Sequence, residues 1–240
     1  MKTYYFIILL IITLFTLPSC NSKKKCDKNL SFDTGKLTNN WVYVNKQFGF
    51  SLKLPSEWYF PDNRGIPTCS VPMSTPLDKK MANKLFKQKK ITLKDIELIK
   101  AEKKEAVYPI MSICDSPIEA LVNQNNEGNS LVFYIQSSIK QDQNQDLEYE
   151  MDKIKNMMNQ FDENFKKNNK KNLKLIHEMP FGKNEKIPCF NLIYRTFNGK
   201  LRNKQFGLKN FGCVNILITI DYLEKSDLNK TLNILRQIKN

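Results

Sequence analysis

A single histidine, His177, and six cysteines, Cys20, Cys26, Cys69, Cys114, Cys189 and Cys213, are the residues of this 240-residue chain best suited to nucleophilic, metal or redox chemistry. His177-Glu178 matches the opening of the zinc-protease pattern H-E-x-x-H, whose two histidines hold the metal from one helix face. Phe181 stands where the second histidine belongs, so the ligand pair does not form. A Ser–His–Asp or Cys–His nucleophile needs an imidazole base and would rest wholly on His177. Asp142-x-Asn144-x-Asp146 offers the oxygen ligands that begin a calcium loop. Leu147 replaces its sixth-position glycine and Lys153 its twelfth-position glutamate, so these residues read as a cap on the helix that follows. No G-x-S-x-G, P-loop or G-x-G-x-x-G is present. The sequence therefore predicts no catalytic residue, no metal site, no cofactor and no enzyme activity.

The N-terminus carries a different chemistry. Lys2 precedes an apolar run of 14 residues, Tyr4 to Leu17. A membrane-spanning helix needs about 20 residues, whereas this length suits the apolar region of a signal peptide. The run closes on Leu17-Pro18-Ser19-Cys20. That resembles the bacterial lipobox, an apolar residue and two others before the lipidated cysteine, with Pro18 departing from the usual occupant. The resemblance implies a signal peptide over residues 1–19, cleavage before Cys20, a thioether-linked diacylglycerol on its sulfur, and a further acyl chain such as palmitate on its amine. At about 0.8 kcal/mol per buried methylene, two or three such chains anchor stably. Residues 20–40 then form a polar tether, in which Lys23, Lys24 and Lys25 lie near anionic headgroups and are attracted to them. Asn21 rather than Asp follows the lipidated residue, which resembles outer-membrane routing in enterobacteria.

Lipidation of Cys20 leaves five cysteines, an odd number, so at least one thiol is unpaired or bonds between molecules. The absence of C-x-x-C disfavours a thioredoxin-like site or a zinc ribbon. Cys189 and Cys213 open the first and third strands of a predicted meander, roughly 9–10 Å apart. A disulfide needs Cα atoms within about 7 Å, so these two are predicted not to bond. Cys69 with Cys114 is a pair that an oxidising envelope allows, free buried cysteine being the alternative.

The formal net charge is +14, from 34 Lys and four Arg against 24 acidic residues. Phosphate and base readers favour the planar arginine fork, so the lysine excess reads as a solvated surface and nucleic acid is disfavoured as a partner. The densest stretch, Lys79 to Lys104, holds ten Lys, partly neutralised by Asp78, Asp95, Glu97, Glu102 and Glu105. A polyanion or small-ligand binder using this face is kept as an alternative function, and a hydrolase built on His177 as a weaker one.

The elements that must position these residues begin after a polar, poorly ordered stretch from Cys26 to Asn40. Trp41 to Val44 reads as a strand, Asn45-Lys46 as a turn and Phe48 to Leu54 as a second, alternating strand ended by Pro55. Asp62 to Pro76 reads as a loop, Pro76 as a helix start and Thr92 as the cap of a second short helix. Val107 to Cys114 and Leu131 to Ser137 read as strands. From Asp146, Leu147, Met151, Ile154, Met158, Phe161 and Phe165 form one helical stripe, a core face rather than a cofactor site. Leu173 to Glu178, Ile187 to Phe197, Leu201 to Phe211 and Cys213 to Tyr222 follow as strands. Asn198-Gly199 marks a two-residue type I′ hairpin. Ser226 caps a last helix with Leu228, Leu232, Leu235 and Ile238 inward.

Phe48-Gly49-Phe50-Ser51-Leu52-Lys53-Leu54-Pro55-Ser56-Glu57-Trp58, the strand meander and the terminal helix together resemble the PsbP-like superfamily, which includes DcrB-type bacterial lipoproteins. The resemblance spans about Trp41 to Lys239. It implies an α+β fold, an antiparallel sheet covered by helices, as one domain over residues 41–240, with Trp58 packed against the sheet. It implies no single activity, since members include accessory and binding proteins. The resulting expectation is an uncharacterised membrane-anchored lipoprotein, a non-catalytic binding or accessory module. It is held on the bacterial cell membrane or outer membrane by Cys20, with the domain in the periplasm or at the cell surface and an envelope protein as partner.

Overall fold

The computed structural model describes residues 31–33, 35–58, 90–92, 107–115, 128–139, 142–158, 169–196 and 199–239, with Asp27, Lys94 and Lys167 besides. Its strands are β1 (Ser31–Asp33), β2 (Lys36–Leu37), β3 (Val42–Asn45), β4 (Phe50–Lys53), β5 (Lys90–Thr92), β6 (Val107–Cys114), β7 (Ser130–Ser137), β8 (His177–Pro180), β9 (Lys186–Arg195), β10 (Leu201–Asn210) and β11 (Val214–Tyr222). Helices α1 (Gln143–Met158) and α2 (Lys225–Arg236) complete an α+β fold. Six strands form one antiparallel sheet in the order β6-β7-β11-β10-β9-β8. A smaller sheet orders β2-β3-β4, and β1 pairs with β5. Among the described residues no helix is long and apolar enough to cross a membrane.

Alternation along the long strands makes both faces of the large sheet apolar. One face presents Leu131, Phe133 and Ile135 of β7 with Val214, Ile216, Ile218 and Ile220 of β11. Against it pack Tyr43, Phe50 and Leu52 of the small sheet and Ile234, Leu235 and Ile238 from α2 and its exit. The other face presents Phe190, Leu192, Phe206, Leu208 and Leu217, covered by Leu147, Met151 and Ile154 of α1. The helical stripe read from the sequence is thus core at Leu147, Met151 and Ile154; the Met158 side chain, Phe161 and Phe165 lie outside what is described. Phe50 links the two sheets, its ring 5.9 Å from Tyr43, 5.7 Å from Phe133 and 5.8 Å from Phe181. Trp58 is buried in the same cluster, as the Pro-turn pattern implied. The chain end closes over β4 through a reciprocal pair, Ser51 N to Lys239 O and Lys239 N to Ser51 O, both 2.9 Å.

Several local expectations are corrected. The polar segment before Trp41 supplies β1 and β2, because Phe32 enters the core and stacks on Phe48 at 6.0 Å. Leu173 to Glu178 is not one strand: a 3₁₀ turn, Asn172–Lys174, buries Leu173 before β8 begins at His177. In the β9–β10 hairpin, Gly199 N donates to Thr196 O at 2.9 Å and Thr196 N to Lys200 O at 2.9 Å. Gly199, at φ +77, is therefore the fourth residue of its turn and not the third. A left-handed glycine after such a turn makes a G1-type bulge in a three-residue loop. Glu224, not Ser226, precedes the first turn of α2, and Asp227 Oδ2 reaches back to accept from Glu224 N at 3.3 Å. Thr92 ends β5 and pairs with Ser31, so a strand stands where a helix cap was expected. The loop at Asp62 to Pro76 and the helix from Pro76 lie outside the described residues.

Phe50→Ala is expected to lower unfolding free energy by about 3–5 kcal/mol in a urea melt, as for a large ring removed from a core. Leu201→Ala, at an exposed position on β10, is expected to change it by under about 0.5 kcal/mol.

Candidate functional site

Cys20, Lys23, Lys24 and Lys25 lie outside the described residues, as do Cys26 and Cys69. The lysine run from Lys79 to Lys104 does too, apart from β5 and Lys94.

His177 is exposed on edge strand β8, directly opposite Cys189 of β9. A cysteine and the only histidine thus become register neighbours, which no sequence spacing announced. The thiol is not activated there. Burial first, and the nearby Glu178 carboxylate second, push Cys189 up to about 12. It is a free, buried thiol, protonated at neutral pH, whereas a nucleophilic cysteine needs thiolate character. Glu178 itself pairs with Lys186 at 3.1 Å on the surface. Phe181, in the place of the second histidine of H-E-x-x-H, is core. No cluster of three or more His, Cys, Asp or Glu able to hold a metal exists among the described residues.

The acidic cluster before α1 divides into two structural roles. Asp142 Oδ1 accepts from Asn144 N at 2.9 Å and Gln145 N at 3.0 Å, the expected cap. Asp146 turns inward, accepting from Ser138 Oγ at 2.7 Å, Ile139 N at 3.0 Å and Asn215 Nδ2 at 2.9 Å. It pins the start of α1 to the turn end of β11, and its charge is favourable at a helix N-terminus.

At the opposite end of the same face, β9, β10 and β11 bring together Tyr194, Arg202, Lys204 and Asp221. Arg202 Nε donates to Asp221 Oδ1 at 2.6 Å and Arg202 Nη2 to Gly128 O at 2.6 Å. The Tyr194 hydroxyl donates to Asp221 Oδ2 at 2.5 Å. Burial, then the Asp221 carboxylate, raise Tyr194 well above a phenol's ordinary value. Burial works against the charge of Arg202, but Asp221 and Tyr194 outweigh it and hold the guanidinium above its usual value. Burial lowers Lys204, with Asp221 opposing and Arg202 assisting; its ammonium lies 5.6 Å from the Phe206 ring. The sequence pattern gave no sign of this cluster, because residues from three strands meet only through the register Arg202↔Tyr194 and Lys204↔Asp221. On the other face, Asn191 Oδ1 and Gln205 Oε1 are register neighbours, both buried and both without a partner in the protein.

Cys114 and Cys213 are both disulfide-bonded. Cys114 sits opposite Ser130, the first residue of β7, while Cys213 precedes Val214, which sits opposite Ser137, the last. Eight strand steps of about 3.4 Å separate them along β7, so they are not bonded to one another. Cys189 and Cys213 are not bonded either, as expected.

No family model matches this chain, and no curated protein matches it. Among solved structures, "Crystal structure of LpqN involved in cell envelope biogenesis of Mycobacterium tuberculosis" aligns with a TM-score of 0.35 and 12% identity, over 80% of this chain and 83% of that one. A TM-score below 0.5 is too low to carry an argument about fold or function.

Two outcomes follow from this geometry. Arg202→Leu and Asp221→Asn are each expected to destabilise by about 3–5 kcal/mol, because each strands a buried charge. The double variant should cost less than the sum, read from urea melts in a double-mutant cycle. For Cys189, the native thiol stays protonated to about 12 while the unfolded thiol ionises near a thiol's ordinary value of 9.0. The unfolded state therefore holds fewer protons above that lower value, and stability is full below it and falls as pH rises through the window. The stability difference between wild type and Cys189→Ala should shrink between about pH 9 and about pH 12, by up to about 1.4 kcal/mol per pH unit. A constant difference would contradict the buried-thiol account.

Proposed function

We propose that this chain is a membrane-anchored lipoprotein of the bacterial cell envelope, whose α+β domain serves as a non-catalytic binding or accessory module. The observation that carries the reading is Leu17-Pro18-Ser19-Cys20 at the end of a 14-residue apolar run, too short to span and suited to a cleaved signal. The disulfide bonds at Cys114 and Cys213 support it, because such bonds form and persist in oxidising compartments.

The domain's own chemistry supports the non-catalytic half. Among the described residues, the buried carboxylates are committed within the fold, Asp221 to Arg202 and Tyr194, and Asp146 to Ser138, Ile139 and Asn215. The thiol opposite His177 is held protonated. The sheet covered by helices fits a PsbP-like domain, a group of accessory and binding proteins. The partner we propose is an envelope protein, met at the surface of the domain while lipid holds Cys20.

Cells expressing the full chain with an alkyne-tagged fatty acid test this. The wild type is expected to carry the label and to fractionate with membranes, and Cys20→Ala to lose the label. Label retained on Cys20→Ala, or an unlabelled soluble wild type, would overturn the anchor. In-cell crosslinking with affinity purification should recover a stoichiometric protein partner from the wild type, and its absence would count against the binding role.

A further inference from the structure

Strand β10 places a lysine where the fold leaves its charge uncompensated. Arg202, Lys204 and Phe206 alternate onto the face that α1 covers. Lys204 stands opposite Asp221 of β11 and Leu192 of β9. Asp221 is the natural counter-ion, but each of its oxygens already has a donor, Arg202 Nε on Oδ1 at 2.6 Å and the Tyr194 hydroxyl on Oδ2 at 2.5 Å. Lys204 has no hydrogen bond or ion pair with any described residue. Its ammonium instead lies 5.6 Å from the centre of the Phe206 ring.

This is not a lysine extended into water over an apolar stem. Burial is the largest influence on its charge and works against it. Leu192 and Phe206, 6% and 9% exposed, flank it. The residue itself is half-buried, so its side chain is reachable from outside. Arg202, Lys204 and Asp221 together carry two positive charges and one negative, which leaves a single positive charge unmatched. A monoanion balances it, whereas a phosphate dianion would exceed it beside Asp221. A bare anion would lose its hydration against Leu192 and Phe206. A carboxylate on an apolar body replaces water there with its own apolar surface and accepts a charge-assisted hydrogen bond from the ammonium.

We propose that Lys204 is the anion-binding group of a site for an amphipathic monocarboxylate, with the carboxylate on its ammonium and the apolar body along Leu192 and Phe206. Arg202 and Tyr194 are positioning residues: by occupying Asp221 they keep the Lys204 ammonium available to the ligand. The site lies wholly within the domain and does not depend on the anchor at Cys20. It gives the binding role a small-molecule ligand besides an envelope protein.

The test is calorimetric titration of the full chain, as isolated from cells, with hydrocinnamate, an aromatic monocarboxylate. One saturable site per chain is expected, weakened at least about tenfold in Lys204→Met. Hydrocinnamyl alcohol, its neutral counterpart, and inorganic phosphate are expected to bind the wild type at least about tenfold more weakly than the carboxylate does. Hydrocinnamate should also slow acetylation of Lys204 in the wild type by an N-hydroxysuccinimide ester, read by peptide mass spectrometry, and leave exposed Lys200 unchanged. That arm decides the matter should Lys204→Met not fold. No saturable site, undiminished binding by a folded Lys204→Met, an equally bound alcohol or phosphate, or an unprotected Lys204 overturns the inference. None of these outcomes touches the fatty-acid label on Cys20, which tests the anchor separately.

Discussion

Strand β11 is buried along all nine of its residues, from Val214 to Tyr222. The rest of the architecture answers that constraint. A strand whose two faces are both apolar must be central, and it must be covered twice. Its neighbours β7 and β10 supply the ladders on either side. Helix α1 covers Leu217 and the residues around it. The small sheet and α2 cover Ile216, Ile218 and Ile220 from the other side. Phe50 sits at the middle of that second contact, which explains why a four-residue strand such as β4 matters to a six-stranded sheet. At roughly 25 cal/mol per Å² of apolar surface removed from water, this two-sided burial is the dominant favourable contribution among the contacts described.

The same constraint governs the polar residues. Burying β11 on both faces takes Asn215 and Asp221 out of water near its two ends. Each is made tolerable by partners from elsewhere in the chain. Asn215 is bonded to Asp146 of α1 and to Asn210. Asp221 is bonded to Arg202 and Tyr194, and Arg202 in turn to the Gly128 carbonyl. Unpaired, any of these groups would cost several kcal/mol, so the networks fix register as well as satisfying polarity. A slip of one residue between β10 and β11 would bring Arg202 and Asp221 to the wrong positions and turn the isoleucines onto the α1 face, where Leu217 belongs.

What the sequence made legible follows from what is local. The alternation of Val214, Ile216, Ile218 and Ile220 announces β11 without reference to anything else. The stripe through Leu147, Met151 and Ile154 announces α1, and Asp142 announces its cap. The misses are tertiary. Phe32 lies in a polar segment that gives no strand signal, and only its stack on Phe48 draws β1 into the fold. Leu173 is buried by a 3₁₀ turn that breaks the expected strand. Gly199 shifts the hairpin by one residue, because a left-handed glycine serves a bulged three-residue loop as well as a two-residue turn. Glu224 displaces Ser226 because Asp227 completes the end of α2 from three residues on. The charged cluster at Tyr194, Arg202, Lys204 and Asp221 is a product of register alone. His177 and Cys189, twelve residues apart, meet for the same reason.

The cysteines join fold to function more closely than any polar cluster does. Cys189 sits where burial protects it, opposite an exposed histidine but unable to give up its proton. Cys114, the last residue of β6, and Cys213, just before β11, sit at opposite ends of β7, which those two strands flank, and each is disulfide-bonded. A disulfide restricts the unfolded chain most where it closes a long loop. Outside the cytoplasm, where the function proposed above would put the domain, such restraint also opposes the local opening that proteases exploit. The lysine-rich composition is compatible with the same setting. A net charge far from zero favours solubility in general, and a lysine run beside a lipid anchor would be drawn to anionic headgroups. Sulfur placement and charge placement are independent features of the sequence, and both are compatible with the membrane-anchored reading proposed above.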